Sequence, residues 1–321
     1  MMRAITVKQT GGPEVLELGE VQDPAVGPGE LLVQTAAVGV NFIEAYQRTG
    51  LYKMTLPFTP GAEAAGTVLA VGEGVSGFEV GDLVATAEAR ASYAERFIVA
   101  ADAAVKVPGG IDAETAAALP LQGLTAHYLA TSASHPQKGD TVLVHAGAGG
   151  VGLLLTQILT ARGVRVLTTV STGEKRELSL GAGAEVAMDY EGFAERAREL
   201  TGGEGVAVVY DGVGKDTFDE SLKSLRVRGE MVLFGGASGP VPPFELQRLN
   251  AGGSLSITRP SLGHFLRNSE ERAWRYGDLF DAIAAGDLDI RIGARFPLED
   301  AADAHRALEG RKTTGKVVLT V

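Results

Sequence analysis

The stretch DTVLVHAGAGGVGLLLTQILTARGVRVLTTVS, residues 140–171, constrains the fold more than any other part of the chain. An apolar run, TVLVHA, leads into a turn of the form Gly147-x-Gly149-x-x-Gly152. A helical run and a second apolar run, VRVLTTV, follow. Strand, glycine turn, helix and strand in that order are the elements of a dinucleotide-binding βαβ unit. Glycines let backbone approach a pyrophosphate closely, and the helix that follows offers free amides and the positive end of its dipole. Gly147, Gly149, Gly150, Val151 and Gly152 are therefore the expected cofactor cradle. The competing reading of the same letters is an alanine-glycine packing turn in another α/β fold.

The end of the second strand selects the dinucleotide. Units that bind NAD place an acid there to hold the ribose hydroxyls. Here the strand ends in Val170-Ser171, with Lys175 one helical turn on. A hydroxyl and a cation suit a 2′-phosphate, so the expected cofactor is NADPH. Glu174 is the rival, being near the NAD spacing. It lies past the strand tip, where an acid at a helix start serves equally well.

The rest of the chain divides around this unit. Residues 1–122 are rich in short alternating runs, RAITVKQ, ELLVQTAAVGV, AAGTVLAVG, GDLVATA and YAERFIVA, separated by glycine-bearing turns. This predicts a mostly antiparallel, barrel-like β domain. Near Ile111 the pattern becomes helical, with Asp112 as a cap and Pro120 dividing two helices. Strand-helix alternation then runs to residue 259 through EVAMD, VAVVYD, GEMVLFG and SLSIT. That predicts a doubly wound parallel sheet, a Rossmann domain over 123–259. From 260 to 321 a long helix near Trp274, a last helix with Gly310 as its C′ residue, and the strand KVVLTV are too little for a separate core. They are expected to rejoin the first domain. The predicted class is thus α/β, a Rossmann domain plus a β-rich catalytic domain.

Composition narrows the partners. The 321 residues carry a formal charge of −11, which disfavours nucleic acid and anionic membrane surfaces, both of which select basic faces. A local basic patch of Arg162, Arg165 and Lys175 is the exception to that balance. There are no cysteines, so disulfides, thiolate zinc ligands and cysteine nucleophiles are absent. A reducing cytoplasm fits this. The N-terminal residues form a strand-like alternation in place of an apolar targeting segment. The five histidines, at 127, 135, 145, 264 and 305, show no ligand spacing, and His145, closing the first strand of the unit, reads as structural. No metal site is expected.

VGVNFIEAYQRTGLY, HAGAGGVG, VYDGVG, LFGGASG and ITRPSL, in this order along the chain, resemble the zinc-free quinone oxidoreductases. These are the zeta-crystallin-like branch of the medium-chain dehydrogenase/reductase superfamily. The resemblance covers nearly the whole chain. It implies a GroES-like catalytic domain beside the Rossmann domain, and a homodimer joined through the Rossmann edge strand at SLSIT. It also implies NADPH-dependent reduction of a quinone held in a cleft between the domains. Residue by residue, Asn41, Tyr46 and Tyr52 resemble the polar and aromatic lining around quinone and nicotinamide. Thr125 resembles a threonine beside the nicotinamide. Ser171, Lys175 and Tyr190 match residues around the adenosine phosphate, Phe234 and Ser238 the loop bordering the nicotinamide, and Arg311 a C-terminal basic contact to the cofactor. Zinc-dependent relatives carry cysteine near Asn41 and histidine where this chain has Ala62, so their catalytic zinc site has lost its ligands here.

Asn41 is then expected to donate its amide hydrogens to a substrate carbonyl, and the tyrosines to stack on a flat ring. The plain alternative is an asparagine in a turn and two tyrosines packing a loop. Glu63, among small apolar residues, reads as a structural or ion-paired acid in preference to a general acid. Arg48 is either its partner or a surface cation. Reduction of an enone or alkenal double bond on the same fold, and a non-catalytic crystallin-like NADPH binder, are the competing functions.

Overall fold

The computed structural model describes every residue from Met1 to Val321. The chain forms two compact units, one made of Met1–Gln122, Arg267–Ala284 and Ile290–Val321, the other of Gly123–Leu266 and Ala285–Asp289. The return to the first unit thus falls at Arg267, later than the expected residue 260. Phe265 explains part of the delay, stacking on Tyr128 of the second unit at 4.4 Å between ring centroids. Residues 285–289 also stay with the second unit. There the Gln157 side chain accepts from the Asp289 amide at 2.8 Å and donates to its carbonyl at 3.2 Å.

In the first unit the strand Glu30–Val40 is the organising element. Its residues 30–34 pair antiparallel with Arg96–Ala100, and 37–40 pair antiparallel with the terminal strand Lys316–Thr320. Its other edge pairs with Ala64–Val71, which leads to Leu83–Thr86 and Val105–Lys106. One strand serving three partners curls the sheet around a core of Ile5, Val33, Val38, Val68, Val84, Phe97, Val317 and Leu319. The first half of Glu30–Val40 alternates in burial as a half-covered strand does, and its second half is buried almost continuously. The cause is the short helix Ala113–Ala118, capped by Asp112 Oδ1 accepting from Thr115 N at 2.9 Å. Its Ala116 and Ala117 pack on Ala37, Ala65 and Ala85, and methyl-sized side chains let helix and sheet approach closely. The sequence reading misses the strand Ile292–Pro297, which pairs parallel with Lys316–Thr320. Gly310 is not the left-handed C′ residue of the helix Ala301–Glu309. It keeps a helical φ of −71°, and Arg311 takes the left-handed conformation at φ +54°.

The second unit is a six-stranded parallel sheet in the spatial order Val186–Met188, Arg165–Thr169, Thr141–Val144, Val206–Asp211, Leu225–Leu233, Ser256–Thr258. The order reverses between Thr141–Val144 and Val206–Asp211. In open α/β sheets ligands bind at the carboxyl ends of the strands at such a switch point. The glycine turn follows Thr141–Val144, so the topology puts it there. Val206–Asp211 is buried at every residue, as a central parallel strand covered on both faces requires.

Candidate functional site

The glycine turn is built by close approach. A Cβ on Gly152 would stand 2.3 Å from the Ala146 carbonyl oxygen, and one on Gly147 would stand 2.5 Å from Thr168 Cβ and 2.6 Å from Ser179 Oγ. The left-handed residue of the turn is Ala146, at φ +54°. The glycines are therefore required for contact between strand, turn and helix. Gly149 is the N-cap of the helix Gly150–Ala161 and supplies no side-chain cap. The first amides of a helix have no intrahelical acceptor, so those of Gly150, Val151 and Gly152 can meet a pyrophosphate where a capping side chain would otherwise sit. The cradle fits a dinucleotide.

At the tip of Arg165–Thr169, Lys175 Nζ lies 3.5 Å from Ser171 Oγ. Thr172 caps the next helix, its hydroxyl accepting from Lys175 N at 3.3 Å, and this fixes the backbone from which Lys175 extends. Glu174 is exposed in the first turn of that helix, the place where an acid complements the helix dipole. The Tyr190 hydroxyl accepts from Ala146 N at 3.1 Å, and its ring stacks at 6.0 Å on His145. Tyr190 thus joins the strand-tip region to the glycine turn.

Thr125 is buried in the helix Pro120–Thr131. The Phe234 ring lies against Gly212, where a Cβ would come within 2.9 Å of it. Ser238 ties its loop down twice, its hydroxyl donating to Val213 O at 2.8 Å and accepting from Asp216 N at 3.0 Å. Beneath this loop Asp211, fully buried, accepts from the amides of Val213 and Gly214 and from the hydroxyls of Thr217 and Ser221. Four donors satisfy one carboxylate and set the Asp211–Gly214 turn. His145 lies in the same network, 2.8 Å from Thr169 Oγ1 and 2.9 Å from Ser221 Oγ. Burial pushes its pKa down, which leaves a neutral ring holding strand ends together. Asp211 and Ser221 were not singled out as functional from sequence, although VYDGVG was among the motifs. Arg311 belongs to the first unit, exposed at the end of Ala301–Glu309.

The first unit gathers Asn41, Tyr46 and Tyr52. Asn41 is the N-cap of the helix Phe42–Arg48, and its backbone amide donates to Glu44 Oε2 at 2.8 Å. Tyr46 faces Tyr52 edge-on at 5.5 Å, and the Tyr52 amide donates to the Tyr46 carbonyl at 3.0 Å. Tyr52 is exposed, with Leu51, Met54 and Leu56 beside it in sequence also exposed. This aromatic and apolar surface suits a flat, weakly polar ring.

Asn41 does not present a free amide. It is buried, and Nδ2 donates to Glu63 Oε2 at 2.8 Å and to the Gly39 carbonyl at 3.4 Å, while Oδ1 accepts from Lys316 Nζ at 2.7 Å. The expected donation to a substrate carbonyl is replaced by a place in a buried network, because a lysine from the terminal strand reaches the same pocket. Lys316 is also the ion-pair partner of Glu63, whose Oε1 accepts from Leu121 N at 2.7 Å. Glu63 is thus the paired structural acid that its surroundings suggest. Arg48 is neither its partner nor a surface cation. It is buried, forks onto Glu309 at 2.8 and 3.0 Å, and lies 3.1 Å from His305 Nδ1. Lys316, Glu44 and His305 were not identified from sequence. A lysine opening an apolar strand and a glutamate inside a helix carry no local sign of burial.

No group of three or more His, Asp or Glu side chains is placed to hold a metal ion, and no helix is long and apolar enough to cross a membrane. Two family descriptions match the chain, the alcohol dehydrogenase GroES-like domain over residues 27–135 and the zinc-binding dehydrogenase domain over 150–276. A quinone oxidoreductase from Pseudomonas aeruginosa is 45% identical over 99% of both chains. A mycobacterial protein solved as a complex with NADPH is 55% identical over the full length of both, with a TM-score of 0.98. The Escherichia coli quinone oxidoreductase, also solved with NADPH, is 40% identical over 99% of this chain and 100% of its own, with a TM-score of 0.97. The chain belongs to the quinone oxidoreductase family of the medium-chain dehydrogenase/reductase superfamily, with a GroES-like and a Rossmann domain.

Proposed function

We propose that this protein is an NADPH-dependent quinone oxidoreductase that works without zinc. The observation that carries the cofactor reading is the strand tip, where Ser171 and Lys175 stand together in place of the acid of an NAD site. Full-length similarity to quinone oxidoreductases supports the acceptor. NADPH, when bound, supplies the reducing equivalents. The amides of Gly150, Val151 and Gly152 would hold its pyrophosphate, and Ser171, Lys175 and Tyr190 its adenosine phosphate. Thr125, Phe234 and Ser238 would border its nicotinamide, and Arg311 would be a basic contact to the cofactor.

Tyr46 and Tyr52 are the acceptor-side residues of this reading. Their rings meet edge-on beside an exposed apolar segment, so they can orient a flat acceptor and limit water around it. Positioning of this kind can supply much of the rate when the acceptor is intrinsically reactive. Asn41 acts one step back, as the fixed start of the helix that carries Tyr46. Zinc independence rests on the donor set. Asn41 and Ala62 stand where zinc-dependent relatives carry ligands, and the asparagine amide is already spent on Glu63 and Lys316. A homodimer through the edge strand Ser256–Thr258 and a cytoplasmic location complete the reading.

The test is NADPH oxidation against a panel of quinones and enones, with NADH as control and with product analysis. Hydroquinone formation supports the reading. A saturated carbonyl product from enones, with quinones inert, assigns the protein to double-bond reduction. No turnover with any acceptor leaves an NADPH-binding protein.

A further inference from the structure

The network around Asn41 holds two carboxyl groups and one ammonium. Lys316 Nζ contacts Glu63 Oε2 and Asn41 Oδ1. Glu44 stands apart from that contact. It is 1% exposed, its Oε2 accepts from Asn41 N, and its Oε1 is buried without a hydrogen-bond partner in the protein. An ionised carboxylate is acceptor-only and would leave that oxygen desolvated and uncompensated, at a large cost. The cation that acts on it, Lys316, is already shared between Glu63 and Asn41.

We propose that Glu44 is a positioning residue for the acceptor site: its uncharged carboxyl fixes the Asn41 backbone and so the start of the helix bearing Tyr46. Its ionisation would set it in competition with Glu63 for Lys316, and the hold on Asn41 would loosen. The electrostatics agree with the geometry, since burial, and to a lesser degree the neighbouring Glu63, push its pKa up to about 8 against the opposing pull of Lys316 and of the backbone amides of Glu44 and Asn41. The other groups around the cluster are Tyr93, Arg48 and His305. Tyr93 is pushed up by burial and by both glutamates, and its hydroxyl is 3.1 Å from His305 Nε2. His305 is held neutral by burial and by Arg48, which is itself paired with Glu309. None of these supplies a cation to Glu44 that is not already engaged.

The kinetic consequence rests on the quinone reductase reading, so the experiment has one arm that depends on turnover and one that does not. In the first, kcat/KM for a simple para-quinone with saturating NADPH is followed from pH 6 to 10. The wild-type value should fall at least about fivefold through an ionisation near 8, a fall that Glu44→Gln, with its uncharged acceptor, lacks. Glu44→Ala should be impaired roughly tenfold already at pH 6.5, in kcat more than in the KM for NADPH. An alkaline fall as large in Glu44→Gln as in wild type, or an alanine variant as active as wild type, overturns the proposal. In the second arm, Tm is measured from pH 5 to 9 for wild type and Glu44→Gln. A proton retained in the folded state and lost in the unfolded state makes wild type less stable, relative to the glutamine variant, as pH rises toward 8. Parallel curves overturn it. If wild type reduces no quinone at any pH, the quinone reading fails, and the thermal arm alone decides the role of Glu44.

Discussion

Lys316 Nζ donates a 2.7 Å hydrogen bond to Asn41 Oδ1 although 275 residues separate them in the chain. The pairing register explains how. The terminal strand lies antiparallel beside the end of Glu30–Val40, with Val317 opposite Val40, so the lysine opening one strand meets the asparagine just after the end of the other. The last residues of the chain therefore help to build the start of the helix that carries Tyr46. The ion pair with Glu63 in the same pocket is buried on both sides.

Removing the lysine from this pair should be costly. Lys316→Met leaves Glu63 without its cation, and breaking a buried pair from one side costs about 3–5 kcal/mol. Chemical denaturation should register a loss of that order. The double variant Lys316→Met/Glu63→Gln should recover part of it, because the charge left unpaired is then gone.

Lys175→Ala should raise the KM for NADPH roughly ten- to a hundredfold and that for NADH less than about threefold. A charge-assisted hydrogen bond is worth about 1.5–3 kcal/mol, and only NADPH has the phosphate to receive it. Equal changes for both cofactors would show that Lys175 is an exposed helix cation and nothing more.

Gly152→Ala should abolish tight NADPH binding while leaving the protein folded. The new methyl would stand 2.3 Å from the Ala146 carbonyl oxygen, so turn and helix must part. Overpacking of this kind costs about 1–3 kcal/mol, less than the stability of a typical domain. Cofactor titration by fluorescence, with Tm recorded beside it, separates the two effects.

His305 should make the protein acid-sensitive. Burial, with Arg48 adding to it, pushes its pKa down to about 3. The folded state then refuses a proton that the unfolded state accepts. Stability should fall as pH drops from about 6.5 toward 3, by at most about 1.4 kcal/mol per pH unit from this group. His305→Gln should flatten that part of the profile, as measured by denaturant midpoints between pH 7 and 4.

The sheet of the second unit was legible because periodicity and glycine spacing are local signals. TVLVHA, VRVLTTV, EVAMD and VAVVYD each contain a strand of the sheet, GEMVLFG holds the second half of Leu225–Leu233, and the turn glycines sit where their letters put them. Ser171 and Lys175 were legible too, since one helical turn brings them together. The pocket around Asn41 was not. Its members come from residues 41, 44, 63 and 316, and their meeting is set by strand register, which no window of sequence displays. The same holds for Arg48, whose partners Glu309 and His305 lie on the last helix. The strand Ile292–Pro297 was missed because its alternation, carried by half-buried residues, is too weak to stand out.

On the proposed reading, a phosphate-selective cofactor site serves a quinone. The direct measurement is kcat/KM for NADPH and for NADH with the same para-quinone, with quinone consumed and hydroquinone formed counted against cofactor oxidised. A preference for NADPH of at least about tenfold is expected, lost in Lys175→Ala, with cofactor oxidation matched by quinone reduction. Equal use of NADH by wild type, or cofactor oxidation without loss of quinone, would contradict it.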